Sequence, residues 1–331
     1  NKSAHYNLGI LHRYHGQYGE AGRCLKQALR IDPHFALAKD ALRTHLRDVC
    51  EWLEVTLDRA AGDSIQSHST NTTLHDRVEK AFIELSDAYL EDVLESAKAK
   101  SDKIIAWSKH ASPPFKEDPD RFLKNKIVVG YLSNNFRDHP TAHLICDLFE
   151  CHDRDRFEIL CFSYGNDDKS AYRKKIESKC DRFFDISNFN SIDAASLIYR
   201  EKTQILVDLN GYTACNRIDI CGLKPAPIQV RYLGEAKTSG ASFIDYLIGD
   251  AIVTPINQSP FYSEKLVLMP HSYQVNSRPA CDNQLEKSKR SDFHLPDDSF
   301  VFCSFSTSYK IDPILFQSWM RILKRVPNSL L

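Results

Sequence analysis

Three prolines in ASPPFKEDPDRF (111–122) divide the sequence into two stretches with different hydrophobic rhythms, and no single repeating architecture accommodates both. Before the break, apolar residues recur at helical spacing. Tyr6, Leu8, Ile10, Leu11 and Tyr14 form one set, and Ala21, Cys24, Leu25, Ala28 and Leu29 a second. The pattern continues over 47–61, a polar stretch (62–73) follows, and a further helix is predicted from 74 to about 110. After the break the apolar runs are short, β-branched and aromatic: KIVVGYLS (126–133), FEILCFSY (157–164), ILVDLNG (205–211), IQVRYLG (228–234) and FIDYLIGD (243–250). Helical segments are predicted at 141–151, 169–179 and 192–202. Strands alternating with helices imply a parallel sheet covered on both faces, so the expected class is α/β, a Rossmann-like lobe preceded by an α-helical segment.

Composition narrows the function. The 331 residues hold 43 Lys and Arg against 44 Asp and Glu, a net charge of −1, and mean hydropathy is −0.40. That balance provides no overall field for nucleic acid or an anionic membrane, so neither is expected as a partner. The longest apolar runs fall well short of the roughly 18–20 residues of a membrane helix, and the N-terminus carries no secretory pattern. Ten cysteines are scattered singly without CxxC, which reads as reduced structural thiols, and no His or Cys pair stands at zinc-finger spacing. No metal is expected.

The first hairpin turns at Gly16 and ends at Ile31-Asp32-Pro33. With NLG at 7–9, Ala21 and Ala28 allowing close packing, it resembles one tetratricopeptide repeat, a unit that cannot bury its faces alone. The expected organisation is a repeat at 1–46, a helical linker region at 47–120, an N-terminal Rossmann-like lobe at 121–280 and the start of a C-terminal lobe at 281–331. The last part reads as one strand, SFVFCSFS (299–306), and one helix opened by Asp312-Pro313. The expectation is therefore a piece of a longer protein, with further repeats before it and the rest of the second lobe after it.

Open α/β sheets bind ligands beyond the carboxyl ends of their strands. Three such loops carry chemistry. In NNFRDHPTAHL (134–144), Asp138 or His139 can cap a helix starting at Pro140, which leaves His139 at a cleft rim or as an ordinary loop residue. In VDLNGYTACNR (207–217), Asp208 ends an apolar strand, either as a cap for nearby backbone N–H groups or as a catalytic or orienting carboxylate. In SFSTSYKIDP (304–313), Lys310 lies just before a helix and is suited to a pyrophosphate or simply solvated; the Walker spacing is missing.

KIVVGYLSNNFRDHPTAHL, QILVDLNGYT, LKPAPIQVRYLG, TSGASFIDYLI, YSEKLVLMPHSY and SYKIDP…WMRILKRVPNS together resemble the protein O-GlcNAc transferase family across most of 126–331. The resemblance implies a GT-B fold and inverting transfer of N-acetylglucosamine from UDP-GlcNAc to Ser or Thr hydroxyls of cytoplasmic and nuclear proteins, with acceptors recruited through the repeats. By that likeness His139 matches the active-site His of the HPTxH motif, and Asp208 matches a strand-end Asp, or its equivalent, that is a candidate base or proton-relay member. Thr213, Leu233 and Gly234 match positions lining the sugar-phosphate pocket. Tyr309 and Lys310 match the dipeptide whose Lys contacts the leaving diphosphate, so UDP-GlcNAc is a substrate and no cofactor is needed.

Three departures bear on activity. The family's Gly-aromatic-Pro-Gly turn is Gly234-Glu235-Ala236-Lys237 here, which removes preset backbone angles and predicts a displaced Gly234. Ser306-Thr307 precedes the Tyr-Lys element where the family commonly has Asn-Gln. The His-Thr-Thr-Gly and Asp-containing nucleotide segment does not occur within these residues, so the resemblance implies that this piece is inactive by itself. The alternatives are a non-catalytic tetratricopeptide interaction protein and a GDP-fucose-dependent protein O-fucosyltransferase.

Overall fold

The computed structural model describes residues 1–51, 74–111, 115, 118–122, 125–213, 215–277 and 289–331. They fall into two units, Asn1–Ser86 with Gln284–Leu331, and Asp87–Asn283.

The first unit opens with α1 (Lys2–Tyr14), α2 (Tyr18–Ile31) and α3 (Ala36–Asp48). Small and branched residues meet in the hairpin core, where Ala21, Leu25 and Ala28 are fully buried. Arg13 pairs with Asp48 at 2.6 Å, fastening α1 to the end of α3. Within the helical pattern expected over 47–61, helix α3 ends at Asp48. Cys50 adopts φ +58, its N–H reaches Arg47 O and the Glu51 N–H reaches Leu46 O, a Schellman closure that terminates α3. Residues 52–73, which include the rest of that expected helix and the polar stretch 62–73, lie outside the described residues.

The same unit contains β8 (Phe300–Val301), α9 (Pro313–Arg325) and β9 (Ser329–Leu330). Asp312 caps α9 as its sequence predicts, accepting from Leu315 N at 2.8 Å with Pro313 at the first position. The eight-residue strand expected at 299–306 is not formed. Its parallel partner offers only Ser329–Leu330, so the ladder ends with Phe302 N–H on Leu330 O, and Phe305 is 97% exposed.

The helix α4 (Leu74–Ala111) contributes its residues from Asp87 onward to the second unit. Seven parallel strands follow: β1 (Ile127–Ser133), β2 (Phe157–Ser163), β3 (Arg182–Asp185), β4 (Ile205–Asp208), β5 (Ile228–Arg231), β6 (Tyr246–Asp250) and β7 (Lys265–Met269). The sheet order is β3-β2-β1-β4-β5-β6-β7. Helices α5 (Pro140–Ile145), α6 (Ala171–Lys179), α7 (Ser191–Arg200) and α8 (Asp219–Gly222) connect the strands. Alternation along each strand builds two cores. Val128, Leu132, Leu160, Phe162 and Leu206 pack with Ala194, Ala195 and Ile198 of α7 and with Ile104 of α4. Val129, Tyr131, Ile159, Cys161 and Val207 pack with Ala142 and Ile145 of α5 and Ile176 of α6. Each fully buried Leu, Ile or Phe stabilises the fold by about 1.5–3 kcal/mol.

The expected α/β class is borne out, with corrections of detail. Strands β3 and β7 were not expected. RFFD is short with charges at both ends, and KLVLM is an exposed edge, so neither reads as a buried run. The helix expected over 141–151 ends at Ile145 and resumes only as a 3₁₀ turn at Phe149–Cys151, and the strand expected from 243 begins at Tyr246. The nine described cysteines are free thiols. Among the described residues no helix is long and apolar enough to cross a membrane.

Candidate functional site

Strands β1, β2 and β3 step outward in one direction, and the chain then returns across β1 to lay down β4 through β7 in the other. The reversal opens a crevice between the carboxyl ends of β1 and β4, where the loops 134–139 and 209–213 meet.

Asn210 joins those loops. Its Oδ1 accepts from Ser133 Oγ at 2.9 Å and from Asn134 N at 3.1 Å, while its Nδ2 donates to Asn134 Oδ1 at 2.7 Å and to Thr213 Oγ1 at 3.2 Å. The side chain is 1% exposed, and its amide is thus satisfied by both loops. Thr213 returns a bond from Oγ1 to Asn210 O at 3.0 Å. In the sequence Asn210 shows only as the first residue of an Asn-Gly pair after a strand.

Asp208, 2% exposed, accepts from Asn210 N at 3.1 Å and Gly211 N at 2.8 Å. Between its two sequence readings, this geometry is that of a carboxylate capping backbone N–H groups. Burial pushes its carboxyl up from the usual carboxylate range, and the charge of Arg231 and the two N–H donors oppose the shift.

His139 rather than Asp138 caps α5, its Nδ1 accepting from Thr141 N at 3.1 Å. Asp138 instead accepts from His143 Nε2 at 2.7 Å. With Nδ1 an acceptor, the neutral His139 ring carries its proton on Nε2, an assignment from this hydrogen bond. Burial first, then the charges of Arg137 and His143, hold its pKa below the ordinary value. Asn135, donating to Thr141 Oγ1 at 3.4 Å, links α5 back to the end of β1.

After β5 the chain makes a three-residue turn, with Gly234 N–H on Tyr232 O at 2.9 Å and Leu233 at φ +69. A non-glycine residue in this γ-turn conformation is strained by about 1–3 kcal/mol, a device that recurs where a site dictates backbone geometry. Gly234 lies directly on the loop after β4, since a Cβ there would stand 2.3 Å from Leu209 O and 2.9 Å from Asn210 O. Asp208, Thr213, Leu233 and Gly234 are thus brought together at adjacent strand ends, and the Asn134–Asn210 bonds join them to the loop that leads to His139.

Arg231, missed by sequence reasoning, is 1% exposed and lies in register with Asp208 on the neighbouring strand. It donates from Nη1 to Lys237 O at 2.8 Å and from Nη2 to Glu235 O at 3.2 Å. A charge inside the apolar run IQVRYLG was the signal available for it.

Lys310 and Tyr309 belong to the first unit, in the 3₁₀ turn Ser308–Lys310 that precedes α9. Lys310 N–H bonds Thr307 O at 3.0 Å, and Ser308 Oγ bonds Asp48 O at 2.6 Å, seating the turn on the end of α3. The side chain of Tyr309 lies outside the described part of the structure. Among the described residues no group of three or more His, Cys, Asp or Glu side chains is arranged to hold a metal.

The sequence matches glycosyl transferase family 41 over residues 97–287 and 274–331, and a tetratricopeptide repeat over 3–35. It is 40% identical over 237 residues to the probable UDP-N-acetylglucosamine–peptide N-acetylglucosaminyltransferase SEC of Arabidopsis thaliana, covering 69% of this chain and 24% of that protein. Identity is 27% over 326 residues to the UDP-N-acetylglucosamine–peptide N-acetylglucosaminyltransferase of Caenorhabditis elegans, covering 64% and 28%. The chain thus spans about a quarter of the length of these curated relatives. The fold aligns with that of a mutant of Thermobaculum terrenum O-GlcNAc transferase at a TM-score of 0.66 and 24% identity, over 99% of this chain and 61% of that one.

Proposed function

Because this chain belongs to glycosyl transferase family 41, we propose that its parent protein transfers N-acetylglucosamine from UDP-GlcNAc to Ser and Thr hydroxyls of cytoplasmic and nuclear proteins. The observation that carries the reading is the crevice at the strand-order reversal, walled by two loops that Asn210 locks together, within the stretch that matches the family. In that enzyme residues 1–46 are a repeat that helps recruit acceptors, 47–120 a helical linker region, 121–280 the N-terminal lobe and 281–331 the opening of the second lobe.

The acceptor oxygen attacks the anomeric carbon opposite the diphosphate. The new C–O bond forms as the bond to the UDP oxygen breaks, the electron pair leaves with UDP, the proton of the acceptor hydroxyl passes through water to solvent, and the anomeric centre inverts. Thr213, Leu233 and Gly234 line the sugar-phosphate pocket, with Asp208 and Asn210 holding that loop. His139, neutral at physiological pH, offers Nε2–H as a donor at the reacting centre. Lys310 and the amino end of α9 meet the charge that accumulates on the departing diphosphate, a contribution larger in the transition state than in the ground state. That role requires no metal.

The test is transfer of labelled sugar to protein acceptors by the full-length protein, with UDP-GlcNAc and GDP-fucose compared. Preference for UDP-GlcNAc is expected. Preference for GDP-fucose overturns the donor, and absence of transfer from either, with acceptors still bound, establishes the non-catalytic interaction protein that the altered 235–237 turn favours.

A further inference from the structure

The turn Glu235-Ala236-Lys237 has neither a proline nor a second glycine to preset its backbone, yet each of its three carbonyls is held by a side-chain donor. Arg231 supplies two of these bonds, to Glu235 O and Lys237 O, and Tyr262 supplies the third, from its hydroxyl to Ala236 O at 3.2 Å. The guanidinium is fully enclosed; a Cβ added at Gly211 would stand 1.9 Å from Nη2, so the loop after β4 closes over it. Asp208 stands opposite on β4 and itself caps that loop, while Glu235 Oε2 approaches Nη2 at 4.0 Å. One buried cation therefore touches both strand-end loops.

We propose that Arg231 is a positioning residue for the donor sugar: it fixes the 234–237 turn against the 208–213 loop by hydrogen bonds where backbone rigidity is lacking, with Asp208 as its counter-charge. The proposal rests on the reading that Leu233 and Gly234 line the sugar-phosphate pocket. A planar, five-donor group that stays charged when buried suits two carbonyls at fixed separation, and a lysine cannot reproduce the fork.

Three variants of the full-length protein test it: Arg231→Met, Asp208→Asn with Arg231→Met, and Arg231→Met with Ala236→Pro and Lys237→Gly. Amide exchange over 234–239 and the KM and kcat for UDP-GlcNAc are measured for each. Arg231→Met is expected to raise KM about tenfold with kcat changed less than about threefold, and to speed exchange in the turn. The Pro-Gly turn fixes the backbone without Arg231 and is expected to bring both readouts back to within about threefold of the parent protein. Should Arg231→Met fail to fold because Asp208 is left uncompensated, the neutral double variant gives the same measurement. Unchanged exchange and KM without Arg231, or no rescue by the Pro-Gly turn, overturns the proposal. A parent protein that does not use UDP-GlcNAc overturns the donor assignment instead, and the exchange measurement still decides the role of Arg231.

Discussion

Replacing Gly234 by alanine adds one methyl group where there is no room for it. The new Cβ would lie 2.3 Å from Leu209 O, 2.9 Å from Asn210 O and 3.0 Å from Asn210 Cα, whereas ordinary contact begins at 3.4 Å. All three neighbours are backbone atoms, and Asn210 is fastened by its side chain to Ser133 and Asn134, so no single rotamer change relieves the clash. The turn must move by about 1 Å. Overpacking of this kind costs about 1–3 kcal/mol, and a loss near 2 kcal/mol lowers the melting temperature of a unit this size by about 4–8 °C. If the turn positions the sugar as proposed, a displacement of about 1 Å there lowers kcat/KM by about a hundredfold. Thermal unfolding and donor-saturation kinetics read both effects. Gly19→Ala is the control: Gly19 lies in α2 with nothing within 4 Å of the added Cβ, so alanine there is neutral or stabilising by up to about 1 kcal/mol. A Gly234→Ala protein that melts within a degree of the parent and keeps its KM would refute the close approach of the two loops.

Asn210→Ala leaves the buried Asn134 N–H and Ser133 hydroxyl without their acceptor, at about 1–3 kcal/mol for each orphaned group; urea titration would show a midpoint shift in that range, and none if the two loops are independently stable. His139→Asn keeps a good helix cap but removes a titrating ring. Because the folded pKa of His139 lies below its ordinary value, the unfolded chain takes up the proton first on acidification. The stability His139 contributes is therefore complete above about pH 6.5 and declines as pH falls toward the lowered value. Melting curves from pH 7.5 to 5 are then shallower for His139→Asn, and identical slopes would remove His139 from the acid response. Lys310→Ala is expected to lower kcat by about a hundredfold with a smaller effect on KM, as for a group acting on transition-state charge; an unchanged kcat would dissociate Lys310 from the leaving group.

The three strands that build the site, β1, β4 and β5, were readable because each is a run of apolar residues from one turn signal to the next, and the same reading explains the two that escaped. Arg182 and Asp185 give β3 polar ends, and β7 is an edge with most of its residues exposed, so the burial that makes a strand conspicuous is weak in both. At the site, Asp208 stood out as a charge inside an apolar strand. Arg231 is the same anomaly one strand later, and its meaning depends on β5 lying beside β4 in a register that sets the two residues opposite each other. Order and register are long-range properties, and a linear pattern does not carry them. The choice between Asp138 and His139 as cap was likewise settled only by the backbone, which turns the His139 ring toward Thr141 and leaves Asp138 to His143.

The facing of Asp208 and Arg231 also constrains how a sequence of this kind can change over time. Losing Arg231 strands Asp208 as a buried carboxylate without its counter-charge, a state costly by about 3–5 kcal/mol, so a lineage reaches the uncharged arrangement only through a weakened intermediate or by changing both positions nearly together. The two positions are expected to be inherited as a unit. Homologous chains with an uncharged residue opposite β4 at the Arg231 position should also have one at the Asp208 position, and they should carry the proline or glycine that makes the 235–237 turn rigid without help.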